Sequence, residues 1–149
     1  LMLPLQQVKD TFMVNIISMF ALVKAAKPHL EPGSAIVTTT SVQAFDPSPN
    51  LMDYAATKAA IHNFTISLAR QLIDAGIRVN GVAPGPIWTA LQLNGGQLPG
   101  ELAAFGQESP MKRAGQPVEL APVYVFLASN QASYVTGQIY GVTGGKKIN

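Results

Sequence analysis

The sequence has no cysteine and few charges. The first absence excludes a disulfide framework, a thiolate metal site and a cysteine nucleophile. Charged residues are 12% of the 149, about half the ~25% share of an ordinary soluble domain. Hydrophobic residues reach 48%, so the chain reads as a single folded domain hiding more surface than a lone chain of this size can. Oligomers or a missing partner segment are therefore expected. Ten basic residues stand against eight acidic ones, a net charge of +2, and the only adjacent basic pairs are Lys112-Arg113 and Lys146-Lys147. No basic stripe suits nucleic acid. His29 and His62 share no ligand spacing with each other or with a carboxylate cluster, so no metal site is expected. The longest apolar run, Phe12 to Val23, is broken by Asn15 and Ser18 and falls short of the ~18 residues a membrane span needs. Nothing resembles a signal peptide. A soluble, cytoplasmic protein with no membrane partner is the expectation.

Residues 6–27 read as a helix apolar almost all round, with Val8, Phe12, Ile16, Met19, Phe20 and Val23 as its ridge and Pro28 and Pro32-Gly33 as its end. Asn15 in its middle reads as a polar group buried for a reason. Ala35 to Thr40 is an uncharged, β-branched run that suits a strand buried on both faces, and Ser41 follows its carboxyl end. A turn over 45–50 leads into a long apolar helix over 52–75, with Asn50 and Asp53 placed to cap it and Gly76 to stop it. Ile77 to Ala83 is a second strand, closed by Pro84-Gly85-Pro86. Strand, helix and strand in this order predict a parallel βαβ unit with a right-handed crossover. Trp88 to Gly106 reads as a lid, with hinges at Gly95-Gly96 and Pro99-Gly100 and apolar contacts at Leu91, Leu93, Leu98, Leu102 and Phe105. Pro117 opens a short amphipathic helix over 118–128, and Gln138 to Val142 forms the last strand before Thr143-Gly144-Gly145. Three strands alternating with helices predict an α/β fold.

The chemistry gathers around one stretch. Tyr54 and Lys58 are four residues apart on a predicted helix, so their side chains share a face. Ser41 waits at a strand's carboxyl end, where open α/β sheets place their ligands. A Tyr-x-x-x-Lys pair alone is a weak signal. The set is stronger: Asn15, Ser41, Tyr54, Lys58 and the Pro84-Gly85-Pro86-Ile87-x-Thr89 turn occur in this order, each at a predicted strand end or helix face.

This set resembles the short-chain dehydrogenase/reductase family. The matches are Val14-Asn15-Ile16, Thr40-Ser41, Tyr54-Ala55-Ala56-Thr57-Lys58-Ala59-Ala60, Arg78-Val79-Asn80-Gly81-Val82-Ala83-Pro84-Gly85 and Val142-Thr143-Gly144-Gly145. The resemblance implies a three-layer Rossmann-type parallel sheet, here about three strands flanked by helices. It implies NAD- or NADP-dependent interconversion of an alcohol and a carbonyl, with Tyr54 as general acid/base. A tyrosine starts from a pKa of ~10 and must be lowered to act near neutrality, a task for the charge of Lys58. By the same resemblance Ser41 holds the substrate oxygen, Asn15 holds a water in a proton relay, and Lys58 also binds the nicotinamide ribose. Pro84, Gly85, Ile87 and Thr89 would meet the nicotinamide. Gln43, Trp88 and the leucine-rich lid suggest an apolar substrate pocket with one polar contact.

One departure stands out. The family opens with a strand, a Gly-rich turn and a helix that cradle the pyrophosphate, and no such element precedes residue 6. The nearest decoy, Thr136 to Gly144, reads as the last strand and has no helix after it. The residue that would choose between NAD and NADP is absent with that element. The chain therefore reads as the C-terminal half of the fold over 1–149, a fragment or truncated form, and the opening Leu1 adds to that expectation. The strand over 35–40 would have an unpaired apolar edge, and the helices over 6–27 and 52–75 would form a homodimer or homotetramer, as in the family. Two readings follow: an oxidoreductase portion, or a non-catalytic module acting through oligomerisation and protein binding. Cofactor binding separates them.

Overall fold

The computed structural model describes residues 3–93 and 100–148. Three parallel strands form one sheet in the order β1-β2-β3: β1 is Ala35–Thr39, β2 is Arg78–Pro84 and β3 is Ile139–Val142. The β1–β2 register runs from Ala35 opposite Arg78 to Thr39 opposite Val82. Helix α3, Met52–Leu72, connects these two strands. This is the Rossmann-type arrangement that alternating strands and helices predict.

The layers follow from two threonines. Successive strand residues point to opposite faces. Thr38 meets Thr65 of α3, with 2.6 Å between the hydroxyl oxygens. Thr39 meets Tyr124 at 2.8 Å, and Tyr124 lies on helix α4, Pro117–Ala128. So α3 covers one face of the sheet and α4 the other. Gly81 shows how closely the side chains of the flanking strands crowd β2, since a Cβ there would come 2.6 Å from Ile139 Cδ1 and 3.0 Å from Thr38 Oγ1.

The central strand is the deepest part of the molecule, with Val79, Val82 and Ala83 fully buried. Leu68, Ala69 and Leu72 of α3 join Ile77 and Val79 in the core, with Val23, Leu30, Ile36 and Phe64 packed around them. Two polar residues in β2 are tied down. Asn80, 1% exposed, donates from Nδ2 to the Val135 carbonyl at 2.8 Å and accepts the Gln138 N–H at 3.1 Å. Arg78 donates to the carbonyls of Leu127 and Ser129, at 2.8 and 3.0 Å. Those carbonyls are orphans at the end of α4, and a cation suits the negative pole of a helix.

Several expectations are corrected. The strand over 35–40 is not buried on both faces: Ala35 to Val37 are half-buried and Thr39 is exposed, because β1 is an edge strand and β2 takes the centre. The first helix is not uniform. It runs as α1, Leu5–Phe12, then a π-helical turn, Met13–Ile17, then α2, Ser18–Ala26. Helix α3 ends at Leu72, and a 3-10 turn over Ile73–Ala75 leads to Gly76, whose left-handed φ of 69° only glycine takes freely. Asn50 does not cap α3. It sits in a 3-10 turn, Pro49–Leu51, and Asp53 turns instead towards α1. Helix α4 is not amphipathic in the usual sense, since apolar Val118 and Val125 face outwards. Within the expected lid, Gly95, Gly96, Leu98 and Pro99 lie outside the described residues. Trp88 and Phe105, flanking them, pack with ring centroids 5.9 Å apart.

Candidate active site

The carboxyl ends of β1 and β2 carry the predicted residues. Buried Thr40 fastens the corner: its N–H donates to the Val82 carbonyl at 2.8 Å, and its hydroxyl to the Lys58 carbonyl at 2.7 Å. Strand β1, strand β2 and helix α3 are thereby pinned at one point. Ser41 follows at once, 7% exposed.

Tyr54 and Lys58 face this corner from the first turns of α3. The Lys58 ammonium donates to the Thr39 carbonyl at 3.0 Å and lies 5.4 Å from the centre of the Tyr54 ring. Both side chains are half-buried. Burial pushes the Tyr54 phenol above its ordinary value, and hydrogen bonding with the Ser41 side chain pulls it partly back. Burial pushes the Lys58 ammonium down. Desolvation of the phenol thus outweighs the lowering by Ser41.

Asn15 sits in the π-helical turn, half-buried, and its amide donates to Thr57 Oγ1 at 3.0 Å. It approaches the site through Thr57, whose hydroxyl in turn donates to the Tyr54 carbonyl. A π turn inside an α-helix often marks a functional site.

The turn after β2 is firmly built. The Gly85 N–H donates to the Val142 carbonyl at 2.9 Å, and a Cβ on Gly85 would come 2.8 Å from the Thr143 carbonyl oxygen. Ile87 forms a bridge with Gly115, while the Thr89 hydroxyl donates to Gln92 Oε1 at 2.9 Å. A cavity of about 230 Å³ opens beside this turn, lined by Pro86, Ile87, Arg113, Glu119 and Thr143 among others. Ser41, Tyr54 and Lys58 do not line it.

The expected substrate contacts fare differently. Gln43 is engaged elsewhere, its Oε1 accepting the Ser48 N–H at 2.6 Å and its own N–H donating to Ser41 Oγ. Trp88 is part-exposed against Phe105. Sequence reasoning missed Thr40 and Thr57, which fasten the site, and read Asp53 only as a cap where the fold ties it to Thr11. Their one signal was position, each adjacent to a residue singled out for chemistry.

A family model described as enoyl-(acyl carrier protein) reductase matches residues 1–147. The chain belongs to the short-chain dehydrogenase/reductase family. Among its relatives, the Escherichia coli oxidoreductase YghA is 57% identical over 143 residues, covering 96% of this chain and 49% of that protein. The NADPH-dependent aldehyde reductase 1 of Arabidopsis thaliana is 51% identical over 144 residues, covering 96% and 50%. A short-chain dehydrogenase family structure from Francisella tularensis superposes with a TM-score of 0.86 at 30% identity, over 96% of this chain and 63% of that one. The chain spans about half the length of the curated relatives it matches.

A nicotinamide cofactor fits only in part. Lys58 and Tyr54 at the sheet's carboxyl end, with the closely packed turn from Pro84 to Thr89, are the residues that could hold a nicotinamide and its ribose. Among the described residues no strand runs through a Gly-rich turn into a helix to hold a pyrophosphate. No helix among them is long and apolar enough to cross a membrane, and no cluster of His, Asp or Glu could hold a metal ion.

Proposed function

We propose that this chain carries the catalytic side of an oxidoreductase that interconverts an alcohol and a carbonyl with NAD or NADP, Tyr54 being the general acid/base. The observation that carries the reading is the convergence of Ser41, Tyr54 and Lys58 on the pinned corner between β1, β2 and α3. A nicotinamide held by Lys58 and the turn from Pro84 to Thr89 would supply or accept the hydride. Tyr54 works at the oxygen: with its pKa raised by burial, the phenol is protonated at neutral pH, the form that donates to a carbonyl oxygen. Ser41 holds that oxygen against the phenol. Lys58 is anchored by one of its three donors, leaving two for the ribose. Pro84, Gly85, Ile87 and Thr89 floor the nicotinamide, and Asn15 reaches the site through Thr57. Substrate is a small alcohol or carbonyl compound, met by Trp88 and Gln43 once Gln43 leaves Ser48.

The same reading includes a homodimer or homotetramer. Met13, Val14, Ile17 and Phe20 leave large apolar side chains more than half exposed along the first helix, and such a patch marks an association surface.

The test is titration of the chain with NADH and NADPH, followed by nicotinamide fluorescence. Saturable binding is expected, weakened roughly 10- to 100-fold by Lys58→Ala, as befits loss of a hydrogen bond from a charged group. Absence of saturable binding at millimolar cofactor, or equal binding by Lys58→Ala, overturns the reading.

A further inference from the structure

Tyr54 stands in α3 between two side chains that the first helix holds. Asp53 precedes it directly, and the Tyr54 carbonyl accepts the Thr57 hydroxyl at 2.7 Å. Both of those side chains are in turn bound by the first helix. Asp53 Oδ2 accepts from Thr11 Oγ1 at 2.8 Å and from Gln7 Nε2 at 3.4 Å. Thr57 Oγ1 accepts from Asn15 Nδ2 at 3.0 Å. Gln7, Thr11 and Asn15 recur every fourth residue, forming a polar stripe that faces α3. An α-helix alone would let that stripe drift around its axis, and the wider π turn at Met13–Ile17 takes up residues against the drift.

A helix start that needed only a cap would be served by an exposed Ser or Asp. Asp53 is 8% exposed and Thr57 fully buried, so both groups bear a desolvation cost that only complete hydrogen bonding offsets. That bonding is complete enough for the Asp53 carboxyl to sit below its ordinary value. Burial raises it, but the bonds from Thr11, the Tyr54 N–H, Gln7 and its own N–H together outweigh burial.

We infer that Asp53 is a positioning residue for Tyr54: by locking the first turn of α3 to Gln7 and Thr11 of the stripe, it sets where the phenol stands against Ser41. The inference rests on the reading of Tyr54 as the proton-transfer group, but its test does not require turnover.

The test uses the 149-residue chain labelled with 13C at tyrosine Cζ, observed at neutral pH. Tyr54→Phe identifies the Tyr54 signal among the four tyrosines. Ser41→Ala is expected to displace that signal and so to set the scale of a lost Ser41 interaction. Asp53→Ala is expected to displace it in the same direction, by at least half as much, while the other tyrosine signals stay put. Adding Ser41→Ala to Asp53→Ala should then move it little further, the non-additivity of two residues acting on one contact. Asp53→Asn, which keeps an acceptor oxygen, should restore most of the native position. A Tyr54 signal unmoved by Asp53→Ala, with only thermal stability lowered, would reduce Asp53 to a helix cap and overturn the inference. Should Asp53→Ala not fold, Thr11→Val decides in its place: a displaced signal supports the inference and a fixed one overturns it. A signal unmoved by Ser41→Ala itself would overturn the Ser41–Tyr54 pairing, and the proton-transfer reading with it, which tells the two failures apart.

Discussion

Asn80 offers the sharpest test of how the sheet is held, because its amide uses a donor and an acceptor at once. Its Nδ2 donates to Val135 and its Oδ1 accepts from Gln138. The substitution Asn80→Asp keeps shape and acceptor but aims a carboxylate oxygen at the Val135 carbonyl, in a site 1% exposed. The loss combines one buried hydrogen bond with an uncompensated buried charge, together roughly 3–5 kcal/mol. The cost falls on the ionised form alone, since a protonated carboxyl can donate to Val135 as the amide did. Each 1.36 kcal/mol of such a penalty is one pKa unit, so about 3–4 kcal/mol carries the introduced carboxyl from its ordinary ~3.9 to roughly 6–7 in the folded state. The sign follows: a folded pKa above the unfolded one gives stability present below about pH 4 and lost as pH rises through about 7. Urea denaturation of the variant and the parent chain at pH 5 and pH 8, at fixed protein concentration, measures the difference. The penalty should be about 1.5 kcal/mol at pH 5 and reach about 3–4 kcal/mol at pH 8. Asn80→Leu should be destabilised equally at both pH values. A penalty for Asn80→Asp that does not change with pH would refute the donor role assigned to the amide.

Two further outcomes are expected. Arg78→Met leaves the Leu127 and Ser129 carbonyls without their cation; a loss of about 2–3 kcal/mol should lower the melting temperature by roughly 4–12 °C, and an unchanged melting curve would refute the link between β2 and α4. Glu119 is bonded by Arg113 at 2.7 and 2.8 Å and by the Gln116 N–H at 2.8 Å; these hold its carboxyl down to about 2. Its contribution is present above the ordinary glutamate value and disappears as pH falls towards 2. Glu119→Gln should therefore flatten the acid limb of the stability profile, and high salt should shrink the difference, since the pair is exposed. An acid limb identical in both proteins would count against the pair.

The βαβ order was legible because a β-branched run, a long apolar helix and a second run closed by Pro-Gly-Pro leave little alternative. Tyr54 and Lys58 were legible because helical spacing puts them on one face whatever lies around them. Other features depend on contacts distant in the chain. Arg78 reads as a strand-end charge, and only the folded chain brings it to the carbonyls of Leu127 and Ser129. Asp53 reads equally well as a cap, and its tie to Thr11 joins residues 42 apart. The direction of the Tyr54 pKa could not be read from the proximity of Lys58, because it depends on how much water the folded chain takes from the phenol. Nor could the Ser48 N–H be foreseen as the partner of Gln43. Local pattern determines which residues share a face, whereas burial and long-range pairing determine what each one does there.

The widened turn at Met13–Ile17 makes the length of this helix a discrete quantity. Winding it back to a regular α-helix without the loss of a residue would swing every side chain beyond that point by about 100° about the axis. Phe20, which packs edge-on against Phe64 at 4.7 Å, and Val23, which meets the core, would both leave their places. An insertion, or a deletion outside the turn itself, is therefore closed to this segment even where point substitutions are not, because it would break either the polar stripe or the packing beyond it.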